Sequence, residues 1–491
     1  MNKVDLPHTI HDIKEEVSHL YTPDGKQVLT PIVDTLENYY KASPVRMHIP
    51  GHAGGRAIHP KFQNLLGKKA VAVDTTDDFY TIGTLHPATG SIKESQDLAA
   101  EVFGAKRTYF LLNGSTIGNL ALALTIINPN DKVIIGRNCH KSVINGLTLT
   151  GGNPIWALPD KLEDYGIWGA ISADTIKKLI KENPDAKLVW LTSPTYEGVV
   201  SNVEEIAEVC KKNGVKLVVD EAHGCLWSFS SFMPTPSLEL GADAVVHSLH
   251  KTGGSFSQSS MLHLGYDSTI DEDELEGNLK MLHTTSPSLT LLASLDAARG
   301  YISSIDGLEY INNAAINSIK LRDRLNTLPR VNCLKMTDKI IIDPTKLYIT
   351  IDGLSGKRLQ SILEAEYHIE VEAGMDKGIL ALSNIGNTNS ELDYFYDCIK
   401  AIVSSDYMDV PDSHEQKYMP FETPEIACSP RTAYTSEKEY VPTEHAINRR
   451  AAEVIAECPP GIPVLVPGER VKETHLAYLA NYEKLLVMKL P

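Results

Sequence analysis

Long apolar runs are missing from this sequence. No stretch approaches the ~20 residues that span a bilayer, and no basic-then-apolar leader opens the chain, so a membrane role is not expected. Cysteine is sparse. The seven, at 139, 210, 225, 333, 398, 428 and 458, are odd in number and never spaced C-x-x-C, which indicates neither a disulfide framework nor a zinc knuckle and fits a reducing cytoplasm. Positive charge is in deficit: 46 Lys and Arg against 63 Asp and Glu leave a net charge of -17, and such a surface repels nucleic acid and anionic membrane. The same balance suits a small cationic partner. No internal repeat or low-complexity block is present, and no G-x-x-x-x-G-K-[ST] loop, so the Asp220-Glu221-Ala222-His223 run lacks what a nucleotide-driven motor needs beside it.

What is present is an ordinary globular composition, 42% hydrophobic and 22% charged, in 491 residues, too many for one core. Residues 1–45 read as an N-terminal arm with a helix over Pro31–Lys41, whose Ile32, Val33, Leu36 and Tyr39 or Tyr40 share a face. Met47–Gly55 follows as a Pro- and Gly-rich loop holding two histidines. Short apolar runs then recur at Tyr109–Leu112, Lys132–Ile135, Leu188–Leu191, Lys216–Val219 and Ala242–Val246, the first four each leading through a turn into a helical stretch. Repeated strand-turn-helix units predict an α/β fold with a mainly parallel sheet covered on both faces. Leu291–Leu325 reads as one helix apart from Gly300 and Gly307, and strands are expected at Leu347–Ile351 and Ile379–Leu382. The resulting plan is an arm (1–45), a large domain (46–300), a smaller α/β domain (301–408), then a linker and C-terminal domain (409–491).

Several reactive groups stand at predicted strand ends, where open α/β sheets bind ligands. Lys251 closes Val245-Val246-His247-Ser248-Leu249-His250 and precedes two glycines. Burial depresses an ammonium pKa and makes a usable amine nucleophile; a surface lysine opening a glycine loop is the plainer reading. Gly114-Ser115-Thr116 opens an apolar helix whose N-terminal amides, hydroxyls and dipole suit a phosphate; N-capping by Ser115 or Thr116 is the alternative. Asp220 ends Val218-Val219-Asp220 and suits a protonated ring nitrogen, or else caps a turn. His140, in Asn138-Cys139-His140-Lys141-Ser142, is placed to stack on an aromatic ring, or is a half-buried, hydrogen-bonded histidine. His223, His247 and His250 match no regular zinc spacing, so no metal site is expected. An amine, a carboxylate, a phosphate-binding helix start and a stacking ring are together the parts that hold pyridoxal 5'-phosphate.

The combination resembles the fold-type-I pyridoxal-phosphate decarboxylases of ornithine, lysine and arginine, and among them the shorter bacterial arginine-decarboxylase-like members without an N-terminal wing domain. The resemblance covers nearly the whole chain and rests on Pro50-Gly51-His52, Leu85-His86-Pro87, Gln96–Ala100, Phe103-Gly104-Ala105, Asn138–Ser142, Asp220–Gly224, Ser248–Lys251, Thr284–Ser288 and Pro459–Glu469. Ala53 departs from it, standing where many short members have lysine. The resemblance implies an aspartate-aminotransferase-like large domain, a smaller α/β domain and a short C-terminal domain. It implies Lys251 as the lysine that carries the cofactor, Asp220 as partner of the ring nitrogen and His140 as the stacking ring. Ser115, Thr116, Ser248 and His250 become phosphate contacts, with Gly114 letting the backbone approach, Ala222 packing on the ring and His223 in the cofactor-binding set. Glu372 lies near the substrate's distal cation, and Thr285 and Ser286 reach the phosphate of a neighbouring subunit in a homodimer or larger homo-oligomer. The expected reaction is decarboxylation of a basic amino acid, arginine first, then lysine or ornithine. An aminotransferase, a desulfurase or a non-catalytic relative that binds a partner is the alternative.

Overall fold

The computed structural model describes residues 25–77, 82–409, 423–456 and 461–490. Seven strands form the central sheet: β1 (Arg107–Leu111), β2 (Lys132–Gly136), β3 (Asn153–Ala157), β4 (Leu188–Thr192), β5 (Lys216–Asp220), β6 (Ala244–His247) and β7 (Ser260–Leu264), in the order β1-β7-β6-β5-β4-β2-β3. Pairs β2·β3, β2·β4 and β4·β5 are parallel. β7 runs antiparallel to both β1 and β6. The sheet is therefore mixed and mainly parallel, with β7 reversed. Val133–Ile135, Leu188–Leu191, Val218–Val219 and Val245–Val246 are at most 1% exposed, as strands covered on both faces must be, which is why they read as unbroken apolar runs.

Chain contacts divide the protein into two compact units. One comprises residues up to Thr125, Glu221–Ser230 and Pro236–Ile311; the other comprises Ile126–Asp220, Ser231–Thr235 and Asn312 onward.

In the first unit the helix Pro31–Ala42 begins with proline and ends at Ser43 in the left-handed conformation (φ 43). The predicted face holds: Ile32 and Leu36 are buried. Its first amides have no partner within the helix, and a buried acid supplies one: Asp296 Oδ2 accepts from Ile32 N (2.8 Å) and Val33 N (3.3 Å). Ser95 Oγ donates to the other oxygen, as does Arg299 at 2.7 Å. Arg299, fully buried, also donates to the carbonyls of Gln27 (2.6 Å) and Leu29. The single helix expected over Leu291–Leu325 is two, Leu289–Ile302 and Ile305–Leu325. Neither glycine breaks it; Ser303 and Ser304 do. The Ser303 hydroxyl bonds back to Arg299 O (2.6 Å), and Ser304 Oγ accepts from Gly307 N (3.1 Å), starting a new helix.

In the second unit, four antiparallel strands, β8 (Val331–Cys333), β9 (Lys346–Ile351), β10 (Ala373–Gly374) and β11 (Gly378–Leu382), lie in the order β8-β9-β11-β10. Their apolar face packs with the helices Gly356–Tyr367 and Asn389–Val403 around Leu347, Ile349, Leu363, Ile379 and Ile399. Thr388 and Glu391 form a capping box on the second helix. The linker expected at 409–422 lies, apart from Asp409, outside the described residues. Beyond it a small core gathers Ala446, Ala451, Ile455, Leu465, Val471, Leu485 and Val487. Among the described residues no helix is long and apolar enough to cross a membrane.

Candidate cofactor site

In the first unit, β6 ends at His247 and the chain turns directly into a one-turn helix, Leu249–Thr252, that carries Lys251 half-buried. Lys251 Nζ donates to His223 Nε2 at 3.0 Å. Ser248, 2% exposed, spends its side chain elsewhere than on that helix: its Oγ lies 2.7 Å from Ser115 Oγ. Its amide donates to Ala222 O at 3.1 Å, which ties the Ala222–His223 turn to the lysine segment. The helix Gly114–Ile126 starts at Gly114, so Ser115 and Thr116 occupy its first turn and do not cap it. Gly114 has φ 66, a conformation that favours glycine, and its amide donates to Gln258 O at 2.8 Å. A Cβ there would meet nothing within 4 Å, so conformation, not crowding by the chain, selects the glycine.

His250 donates from Nδ1 to Ser259 O at 2.7 Å. Burial, with the Lys251 charge, holds its pKa below the ordinary histidine value. Thr285 and Ser286 lie exposed on the loop after the helix Glu272–Leu282.

In the second unit, Asp220 is the last residue of β5 and 3% exposed. His140 follows β2 and caps the helix Lys141–Thr150, its Nδ1 accepting from Ser142 N (3.2 Å) and lying 2.8 Å from Ser142 Oγ. That fixes the ring plane; the histidine is half-buried and hydrogen-bonded, as the plainer reading has it, and is also held in one orientation. Burial pushes the preceding Cys139 thiol up to about 12, and the Asp220 charge adds to the effect, placing the end of β5 near this loop. Glu372 is exposed, just before β10, and its Oε1 accepts from Tyr196 OH at 2.9 Å.

Two features escaped the sequence reading, Tyr196 and the pairing of Glu221 with His247 and Ser237. Tyr196 follows β4 in Ser193-Pro194-Thr195-Tyr196, and the strand-end rule that found Asp220 would have found it. Glu221, His247 and Ser237 form a buried cluster: Glu221 accepts from His247 Nε2 (2.8 Å), Ser237 N (3.0 Å) and Ser237 Oγ. No local signal marks that cluster, because its members meet only on folding.

The donor set fits pyridoxal 5'-phosphate. Paired hydroxyls and first-turn amides of a 13-residue helix suit a phosphate, and an amine beside an imidazole suits a carbonyl. A strand-end carboxylate suits a ring nitrogen.

Comparison with known proteins bears on the same chemistry. The family model described as Orn/Lys/Arg decarboxylase, major domain, matches residues 30–370, and that family's C-terminal domain matches 413–490. The chain is 34% identical to an arginine decarboxylase of Halalkalibacterium halodurans, over 93% of this chain and 94% of that one. It is 33% identical to the arginine decarboxylase of Bacillus subtilis, over 92% and 93%. In fold it is similar to the lysine decarboxylase of Francisella novicida, with a TM-score of 0.80, 20% identity, and 94% of this chain and 81% of that one covered.

Proposed function

The chain belongs to the ornithine/lysine/arginine decarboxylase family, and we propose that this pyridoxal-phosphate-dependent decarboxylase converts L-arginine to agmatine and carbon dioxide, with lysine and ornithine as poorer substrates. The observation that carries the reading is the Lys251–His223 contact at 3.0 Å in the same unit as the paired Ser115 and Ser248 hydroxyls: an amine beside a base, with an anion cradle. Arginine comes first because curated relatives that match nearly end to end carry that name.

In this reading Lys251 holds the cofactor covalently, and His223 takes the proton from Nζ that would otherwise block its attack. Ser115 and Ser248 donate their hydroxyls to the phosphate, with the first-turn amides at Ser115 and Thr116. His250 has spent its Nδ1 proton on Ser259, so it serves the phosphate when Nε2 is protonated, which a nearby dianion favours. Asp220 keeps a proton on the ring nitrogen, His140 lies against the ring face and Ala222 packs beside it. When bound, the cofactor supplies the electron sink that lets the bond to the α-carboxylate break. Glu372 receives the substrate's distal cation, and the Tyr196 hydroxyl on Oε1 fixes the carboxylate plane so that its free edge meets a planar guanidinium. Thr285 and Ser286 act on the site of a partner copy in a homodimer, and the protein works in the cytoplasm.

Carbon dioxide and amine product, measured on purified, cofactor-loaded protein given arginine, lysine and ornithine separately, test the reading. Arginine should be turned over fastest. Release of a keto acid in place of carbon dioxide, or preference for lysine, would overturn it in reaction or in substrate respectively.

A further inference from the structure

The segment Gly461–Glu469 belongs to the family's C-terminal domain, far along the chain from the loop that carries His140, yet the two are joined inside the second unit. Arg137, the first residue after β2, is 6% exposed and donates to Pro463 O (2.6 Å), Val464 O (3.1 Å) and Glu469 Oε2 (3.3 Å). Glu469 is 1% exposed and also accepts from Val466 N at 2.9 Å. The guanidinium lies over the Trp156 ring, 5.1 Å from its centroid. Four residues on, the Lys141 amide donates to Gly461 O at 3.0 Å. The loop is thus gripped at its entry by a buried side chain and at its exit by a backbone bond. His140 lies between the two grips.

We infer that Gly461–Glu469 is a positioning element for the cofactor's stacking ring, with Arg137 and the Lys141 amide as the two points through which it sets His140. The inference rests on the role proposed for His140. A guanidinium suits the first point because one rigid planar fork spreads its donors over two carbonyls and a carboxylate, whereas an ammonium offers its donors from a single compact centre. Besides the two grips, the Arg137 amide donates to Ala157 O of β3 at 2.9 Å, Cys139 N donates to Gly136 O at 3.0 Å, and His140 meets Ser142.

Lys141 offers a clean probe. It is the first residue of its helix, where proline is tolerated, and His140 before it has φ -69 and ψ 146, a conformation compatible with a following proline. K141P therefore deletes one hydrogen bond without breaking the helix, and K141A, which keeps the amide, is its reference for the lost ammonium. R137K tests the other grip. For each variant, pyridoxal phosphate is titrated into apo-protein, and the visible circular dichroism of the bound cofactor reports ring orientation. Apo-protein melting shows that the fold persists.

We expect K141P, relative to K141A, to weaken cofactor binding about three- to tenfold, the range for loss of one hydrogen bond, and to shrink the dichroic band. R137K should change the band in the same direction. The double variant K141P/H140A should be no worse than H140A, because both act through one ring. Multiplying losses in the double variant, or an unchanged band in K141P with a lowered apo melting point in R137K, would reduce the contact to simple structural support. An H140A protein with wild-type affinity and band would instead overturn the stacking role itself, and with it the inference.

Discussion

At the scale of single residues, Lys251 and Asp220 make different demands on an experiment. On the proposed role, Lys251→Ala removes the amine that would hold the cofactor, so steady turnover and the visible absorption band should both vanish; a variant that keeps the band has its cofactor lysine elsewhere. Asp220→Ala should retain cofactor but lower kcat by about 10²- to 10³-fold, as expected for loss of a buried charge that acts on the reacting system. Wild-type kinetics would remove Asp220 from the role. Both residues were legible because strand ends are visible in sequence. Tyr196 stood at an equally visible strand end and was passed over. Glu221 and His247 also stand at strand ends, but their pairing was not legible, since a buried acid and its histidine partner lie 26 residues apart.

One further pair titrates. His283 Nε2 accepts from Leu112 N (3.3 Å), so its proton sits on Nδ1 and is donated to His86 Nε2 at 2.8 Å. Burial pushes both rings down to about 4; Lys280 adds to the shift on His86, and His86 to that on His283. The unfolded chain takes up these protons near pH 6.5, the folded chain only near 4. Between those values the unfolded state binds more protons, so stability is full above about 6.5 and falls as pH drops toward 4. Urea denaturation of apo-protein at pH 7 and pH 5 should show that fall, and a His86→Gln/His283→Gln variant should show a smaller one. An equal pH dependence in the two proteins would acquit the pair.

At the scale of elements, the helix Pro31–Ala42 depends on an acid 264 residues away. Asp296 satisfies two of its first amides, the Ser95 hydroxyl and Arg299, all in a fully buried setting. Asp296→Ala leaves Arg299 charged without its carboxylate and should cost about 3–5 kcal/mol, measured as the change in unfolding free energy of apo-protein. A loss under about 1 kcal/mol would mean that water or a shifted side chain replaces the acid. The helix itself was readable from its apolar spacing; its anchor was not, because nothing local distinguishes Asp296 from any helical aspartate. Strands β2, β4 and β5 were readable for a related reason, burial on both faces. The reversed β7 was hidden: Ser260 and His263 interrupt its apolar character, and His263 is buried there with Thr108 on the neighbouring strand 2.8 Å from its Nδ1. Ser303 and Ser304 misled in the opposite sense, since polar residues inside a long helical pattern give no warning of whether they turn outward or back onto the chain.

At the scale of the whole molecule, the net charge of -17 agrees with the proposed small cationic substrate and with poor affinity for polyanions. The order in which the chain is laid down matters more. The first compact unit is interrupted after Thr125, resumes briefly at Glu221–Ser230, and is completed only by Pro236–Ile311. A fragment ending at Ser230 therefore lacks β6, β7 and Asp296, and should be digested throughout by a protease that leaves the intact protein whole; a resistant core in that fragment would show that its early segments fold alone. During synthesis, at roughly 5–20 residues per second, the strand bearing Asp220 leaves the ribosome well before the lysine at 251 and tens of seconds before the segment that grips His140. A nascent chain therefore carries β2 to β5 for seconds before β6 and β7, the strands that complete the sheet, have been made.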